Sequence, residues 1–149
     1  MSERWRARGP ARERASVSVE MAILTPAFLL LIVTAIMLGR TAVAAHAIDV
    51  AAHDAARAAS ISRTQPAAAA NADSAAREAL DRQGLDCVGD PTIAPDVSGF
   101  ASGGVDLEFV SVTIQCEVSF TDIALAGVPP NRMLTTTFVS PIDIFRERP

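Results

Sequence analysis

The chain has 149 residues, half of them hydrophobic, and a net charge of −4. That length supports one compact unit and excludes a large multidomain assembly. The charges are segregated. The first fifteen residues hold five arginines (Arg4, Arg6, Arg8, Arg12, Arg14) against two acids (Glu3, Glu13), so they carry +3 and the remainder −7. An acidic remainder without a basic patch speaks against nucleic-acid binding.

Residues 21–39 (MAILTPAFLLLIVTAIMLG) are nearly all apolar. A bilayer core takes about 20 helical residues, so this run reads as a membrane span. Positive charge stays in the cytoplasm. The expected organisation is therefore a basic cytoplasmic leader over residues 1–15, a transmembrane helix over 16–40, and an extracytoplasmic domain over 41–149. Pro26 removes the hydrogen bond to the carbonyl of Ala22 and predicts a mild kink. Helical signal continues through residues 41–62, which lack Gly and Pro and are rich in Ala. His46, Asp49, His53 and Arg57 share one face there, and Ile48, Ala51, Ala52, Ala55 and Ala59 the other. One helix is thus expected from about 17 to 62. Its small-residue face admits close approach of another backbone or a sheet.

A second helix follows over residues 66–83, with Thr64 as N-cap, Pro66 in its first turn and Gly84 as the C-terminal stop. Residues 85–104 are rich in Gly and Pro, with a short extended stretch around 92–98. Residues 105–120 alternate apolar and polar and read as a strand. The apolar phase slips by one between Phe109 and Val110, which predicts a β-bulge. A turn over 127–131 leads to a strand over 133–140, which Pro141 ends or marks as an edge. The fold class is α+β: a long N-terminal transmembrane and amphipathic helix, a second short helix, then a small antiparallel sheet.

Cys87 and Cys116 both fall in the part placed outside, where disulfides persist, and are expected to bond to each other. The loop they close, about 30 residues, is worth roughly 3–4 kcal/mol. A hairpin turning at FASGG would set the two cysteines opposite each other. Neither has a histidine near it in sequence, which speaks against a metal cage. His46 and His53 lie roughly 10 Å apart along a helix, too far to share one ion. No cofactor site and no nucleophile–base constellation is visible. Ser102 in GFASGG is not the elbow of a hydrolase. Ile142, Ile144 and Phe145 are expected to pack on the sheet.

Glu20 stands at the inner border of the apolar span. A carboxylate there is costly, so either it has a use or it sits at the headgroup level. The string Arg14-Ala15-Ser16-Val17-Ser18-Val19-Glu20-Met21 resembles the start of type IV prepilins and pseudopilins. These carry a short basic leader, a small residue before the cut, and a glutamate fifth in the mature chain. A cut between Ala15 and Ser16 makes Ser16 the first residue and Glu20 the fifth. Further features are similar to TadE-like proteins of actinobacterial type: LTPAFLLL with its early proline, the Gly39-Arg40 exit, AAHDAARAAS (51–60), the Cys87/Cys116 pair, DVSGFASGG (96–104) and FVSPIDIFRER (138–148). They run from residue 12 to residue 148.

The resemblance implies a structural protein without enzymatic activity, a minor pseudopilin or assembly component of a tight-adherence pilus. Its implied partners are the membrane, a prepilin peptidase, other pseudopilins and pilus-assembly proteins. It also implies a role for Glu20, as a carboxylate neutralised by a neighbouring subunit's N-terminal amine. Ala15 stands where the family usually has the glycine that the peptidase prefers. Two outcomes stay open: a processed helix beginning at Ser16, or a permanent uncleaved anchor. Two other readings compete. One is a secreted protein whose signal peptide is cut after Ala44, since Ala42-Val43-Ala44 fits a small-x-small signal. The other is an anchored partner of a different envelope secretion machine.

Overall fold

The computed structural model describes residues 11–101, 108–121 and 130–142, with side chains from residue 19 onward. The chain divides into two compact units, Met1–Leu38 and Gly39–Pro149. Helix α1 spans Ala11–Ser60 and helix α2 spans Gln65–Gln83. The strands are β1 (Thr92–Asp96), β2 (Phe109–Ser119) and β3 (Asn131–Pro141), with a 3₁₀ turn over Ser98–Ala101. The α+β class and the order of elements agree with the sequence pattern.

Helix α1 is already formed at Ala11, ahead of the expected position 17, and Ala11–Arg14 are strong helix formers. It ends two residues before position 62. The Ser60 hydroxyl bonds the Arg57 carbonyl at 2.9 Å, and the Ser62 hydroxyl bonds the Ala58 carbonyl at 2.9 Å. These side chains compete for the terminal carbonyls and let the chain leave the helix. In α2 the Thr64 oxygen accepts from the Ala67 N–H, at a long 3.4 Å. Gly84 lies at φ 64. Its N–H reaches the Asp81 carbonyl and the Leu85 N–H reaches the Leu80 carbonyl, closing a Schellman motif.

The sheet is antiparallel, in the order β1-β2-β3. β2 shows a clean period of two. Val110, Val112, Ile114 and Cys116 are buried, while Phe109 and Gln115 are exposed. The register with β3 is unbroken from Phe109↔Pro141 to Ser119↔Asn131, so there is no bulge between Phe109 and Val110. Phe109 belongs to the outer face, and buried Glu108 continues the inner phase. Val105 and Leu107, whose phase suggested the slip, lie outside the described residues. So do Ser102, the 127–129 part of the expected turn, Ile144 and Phe145. Ile142 is buried.

The expected hairpin register is also corrected. β1 pairs with β2 as Thr92↔Gln115, which sets residue 91 rather than Cys87 in line with Cys116. Extended Thr92–Asp96 gives way at Ser98 to the 3₁₀ turn, so the reversal is not a simple FASGG loop.

Within the second unit, the core joins three surfaces. α1 presents Ile48, Ala51, Ala52, Ala55, Ala56 and Ala59, and α2 presents Ala68, Ala72, Ala76 and Ala79. The sheet presents Val110, Val112, Ile114 and Cys116. On α2, Ala68, Ala72, Ala76 and Leu80 recur every four residues and form one buried row. Alanine keeps the backbones close but buries little area itself. Ile48, Val110, Val112 and Ile114 therefore carry much of the apolar stabilisation, about 1.5–3 kcal/mol each.

Candidate functional site

The sequence points to two places: the start of α1 and the cysteine pair. Ala15 and Ser16 lie on the helical backbone of α1, ahead of the described side chains. Glu20 is exposed on the same helix. No charged residue follows until Arg40, twenty positions on. At the helical rise that is about 30 Å, the thickness of a bilayer's hydrocarbon core. The side chains between are apolar and outward-facing, with Leu24 and Leu31 each 61% exposed and Leu38 65% exposed. Among the described residues, one helix is long and apolar enough to cross a membrane, with a mean hydropathy of 2.5 over its best window.

The polar groups inside this stretch are used internally. The Thr25 hydroxyl donates to the Met21 carbonyl at 2.6 Å, and the Thr34 hydroxyl to the Leu30 carbonyl at 2.8 Å. Such bonds satisfy hydroxyls where no water is present. The helix runs through Pro26 without interruption. Glu20 thus differs in kind from Thr25 and Thr34: its carboxylate is a charge at the border of an apolar run.

Cys87 and Cys116 form a disulfide, with Cα atoms 5.4 Å apart. Cys116 is buried on β2 and Cys87 is half-buried after α2. The two meet because the chain turns between Cys87 and Thr92, with Gly89 at φ 80 and the Val88 N–H donating to the Glu117 carbonyl at 2.7 Å. Beside the disulfide, Arg77 pairs with Asp73 at 3.0 Å and with Asp90 at 3.8 Å. The hydrogen bond that Arg77 donates to the Asp73 carboxylate raises the Arg77 pKa.

His46, Asp49, His53 and Arg57 are exposed on α1, on one face. Two of them nevertheless touch the sheet. The Thr136 hydroxyl donates to Asp49 at 2.6 Å, and the rings of His53 and Phe138 meet edge to face at 4.7 Å. Arg82 of α2 reaches Asp54 at 3.0 Å. Periodicity sets these four residues on one face and names no partner for them. The partners lie far along the chain, 87 residues away for Asp49, so no local pattern announces them. Among the described residues no three His, Cys, Asp or Glu side chains gather as metal ligands.

No curated protein and no solved structure matches the chain significantly. The family model of the TadE-like protein matches residues 15–57. The match begins at Ala15, takes in Glu20 and the apolar run, and ends at Arg57 on the alanine-lined part of α1. Over residues 15–57 the chain is similar to TadE-like proteins.

Proposed function

We propose that this protein is a minor pseudopilin or assembly component of a tight-adherence pilus, with a structural and non-catalytic role. The TadE-like segment supports a component associated with that pilus system and with the membrane. The observation that carries the finer reading is the conjunction within it: a lone carboxylate, Glu20, at the border of a charge-free, outward-facing apolar helix. Residues 16–40 anchor the chain, and the arginine-rich leader keeps the N-terminus cytoplasmic with the α+β domain outside. The disulfide fits an oxidising exterior.

When such helices pack together, Glu20 leaves water. An unpaired buried charge costs several kcal/mol, so a neighbouring subunit's amine at Ser16 would fix the axial register. That pairing needs removal of the leader, and Ala15 in place of glycine favours a second form, an uncleaved anchor in the assembly platform. The match extends on both sides of Ala44, which supports retention of the span over its removal as a signal peptide.

The intact mass of the protein from its native membrane tests this. A chain beginning at Ser16 supports the processed pseudopilin, an uncut chain supports the anchor, and one beginning at Ala45 overturns both. Glu20→Ala is expected to insert and fold normally while abolishing piliation. Unchanged piliation in that variant removes the role given to Glu20.

A further inference from the structure

Between α2 and the sheet the chain crosses a turn in which Val88, Gly89 and Asp90 are exposed. The Val88 N–H holds one side of it, on the Glu117 carbonyl, and the β1 ladder begins on the other side at Thr92↔Gln115. Gly89 sits at φ 80 in between. The Asp90 side chain is 95% exposed, with Arg77 at a loose 3.8 Å. Asp90–Pro91 is the one Asp–Pro bond in the chain. Its chemistry differs from that of the other aspartates. Proline offers no N–H, so the ring closure in which the next residue's amide nitrogen attacks the aspartate side chain is closed to Asp90. Attack by the carboxyl on the backbone carbonyl of its own residue stays open. A carboxyl held beside a carbonyl reacts at an effective concentration far above any in solution. The leaving nitrogen belongs to a tertiary amide, more basic than an ordinary peptide nitrogen and more readily protonated.

We propose that Asp90–Pro91 is a self-cleavage site of this protein in mild acid, and that the disulfide keeps the two parts joined after the cut. A carboxyl oxygen of Asp90 forms a bond to the Asp90 carbonyl carbon, giving a cyclic anhydride. The bond from that carbon to the Pro91 nitrogen breaks. The nitrogen takes a proton from the acidic medium and leaves as a secondary amine. One water then opens the anhydride to two carboxyl groups, so the net change is the addition of water, with no oxidant or reductant. Cys87 lies before the cut and Cys116 after it, and they are bonded to each other. The part ending at Asp90 carries α1 and α2, the part beginning at Pro91 carries the sheet, and the two share one core. The cut therefore frees a new N-terminus at the start of β1 without releasing the sheet. This does not depend on the pilus reading.

The purified full chain, warmed in mild acid and at neutral pH, is weighed by mass spectrometry before and after reduction. In acid the unreduced protein should gain the mass of one water. Reduction should then split it into a fragment ending at Asp90 and one beginning at Pro91. At neutral pH the bond should be cut at least about tenfold more slowly, for want of a proton on the leaving nitrogen. Pro91→Ala restores an ordinary peptide nitrogen and Asp90→Glu widens the ring, so each should slow cleavage about tenfold or more. Because the turn is exposed, the native chain should be cut within about tenfold of the rate of the same chain in denaturant. The proposal is overturned by no cut in the native chain, by a native rate further below that of the denatured chain, or by a cut at another aspartate instead. It is equally overturned by either variant cleaving as fast as the native sequence, or by separation of the parts without reductant.

Discussion

Removing the disulfide by the paired substitution Cys87→Ala and Cys116→Ala should loosen the second unit without changing its fold. The cysteines are 29 positions apart, and closing a loop of that length removes about 3–4 kcal/mol of entropy from the unfolded chain. The loss of packing is small beside this, since alanine fills most of the buried Cys116 site. A domain of this size holds roughly 5–15 kcal/mol in total, so the bond supplies a large share. Hydrogen exchange by mass spectrometry on the full chain reads it directly. The amides of Val110–Cys116 open only with the unit as a whole, and should exchange about two to three orders of magnitude faster in the variant. Exchange over residues 19–38 should not change, because that segment belongs to the other unit. Acceleration of β2 under tenfold, or one confined to residues 85–91, refutes the reasoning. Either result means the bond holds only its own turn.

Gly84 sits at φ 64 with its N–H in the α2 cap, so Gly84→Ala should cost about 1 kcal/mol, seen as a lower denaturation midpoint for the second unit. Gly99 packs against Phe109, and a methyl there would collide with the Phe109 carbonyl. Gly99→Ala should therefore destabilise by about 1–3 kcal/mol, with the exchange of Ser98–Ala101 and the start of β2 most affected. A neutral result shows that the 3₁₀ turn can move away. The Ser98 hydroxyl and then its backbone N–H hold the Asp96 carboxyl below the ordinary carboxylate range. Its contribution is present above that range and is lost as pH falls through the lowered value. An NMR titration should show Asp96 low in the native chain and moved up in Ser98→Ala. No upward movement would show that the hydroxyl is not the cause.

Local chemistry was legible wherever a residue's own neighbours set its conformation. The polar and apolar faces of α1 follow from periodicity, and the Thr64 and Gly84 caps from turn chemistry. The alternation of β2 follows from the two-residue pleat. The candidate site was read from one segment alone, because Glu20 and the apolar run are contiguous in the chain. Asp49–Thr136 and His53–Phe138 were not legible, because each joins elements whose relative placement no local pattern encodes.

The disulfide shows where the boundary lies. Composition and compartment identified Cys87 and Cys116 as partners, but the hairpin register offered in support was wrong. Thr92 faces Gln115, and Cys87 reaches Cys116 by a turn through Gly89, with Val88 bonded to Glu117. The supposed bulge at Phe109 likewise disappears once β3 pairs with β2 along its length. The sequence by itself determined which segments are helix and strand and which helix is apolar enough to cross a membrane, since those depend on periodicity, composition and local hydrogen bonding. Only the tertiary structure decided the register, the turn and the seating of the alanine faces. Those depend on how distant surfaces fit when water is excluded between them.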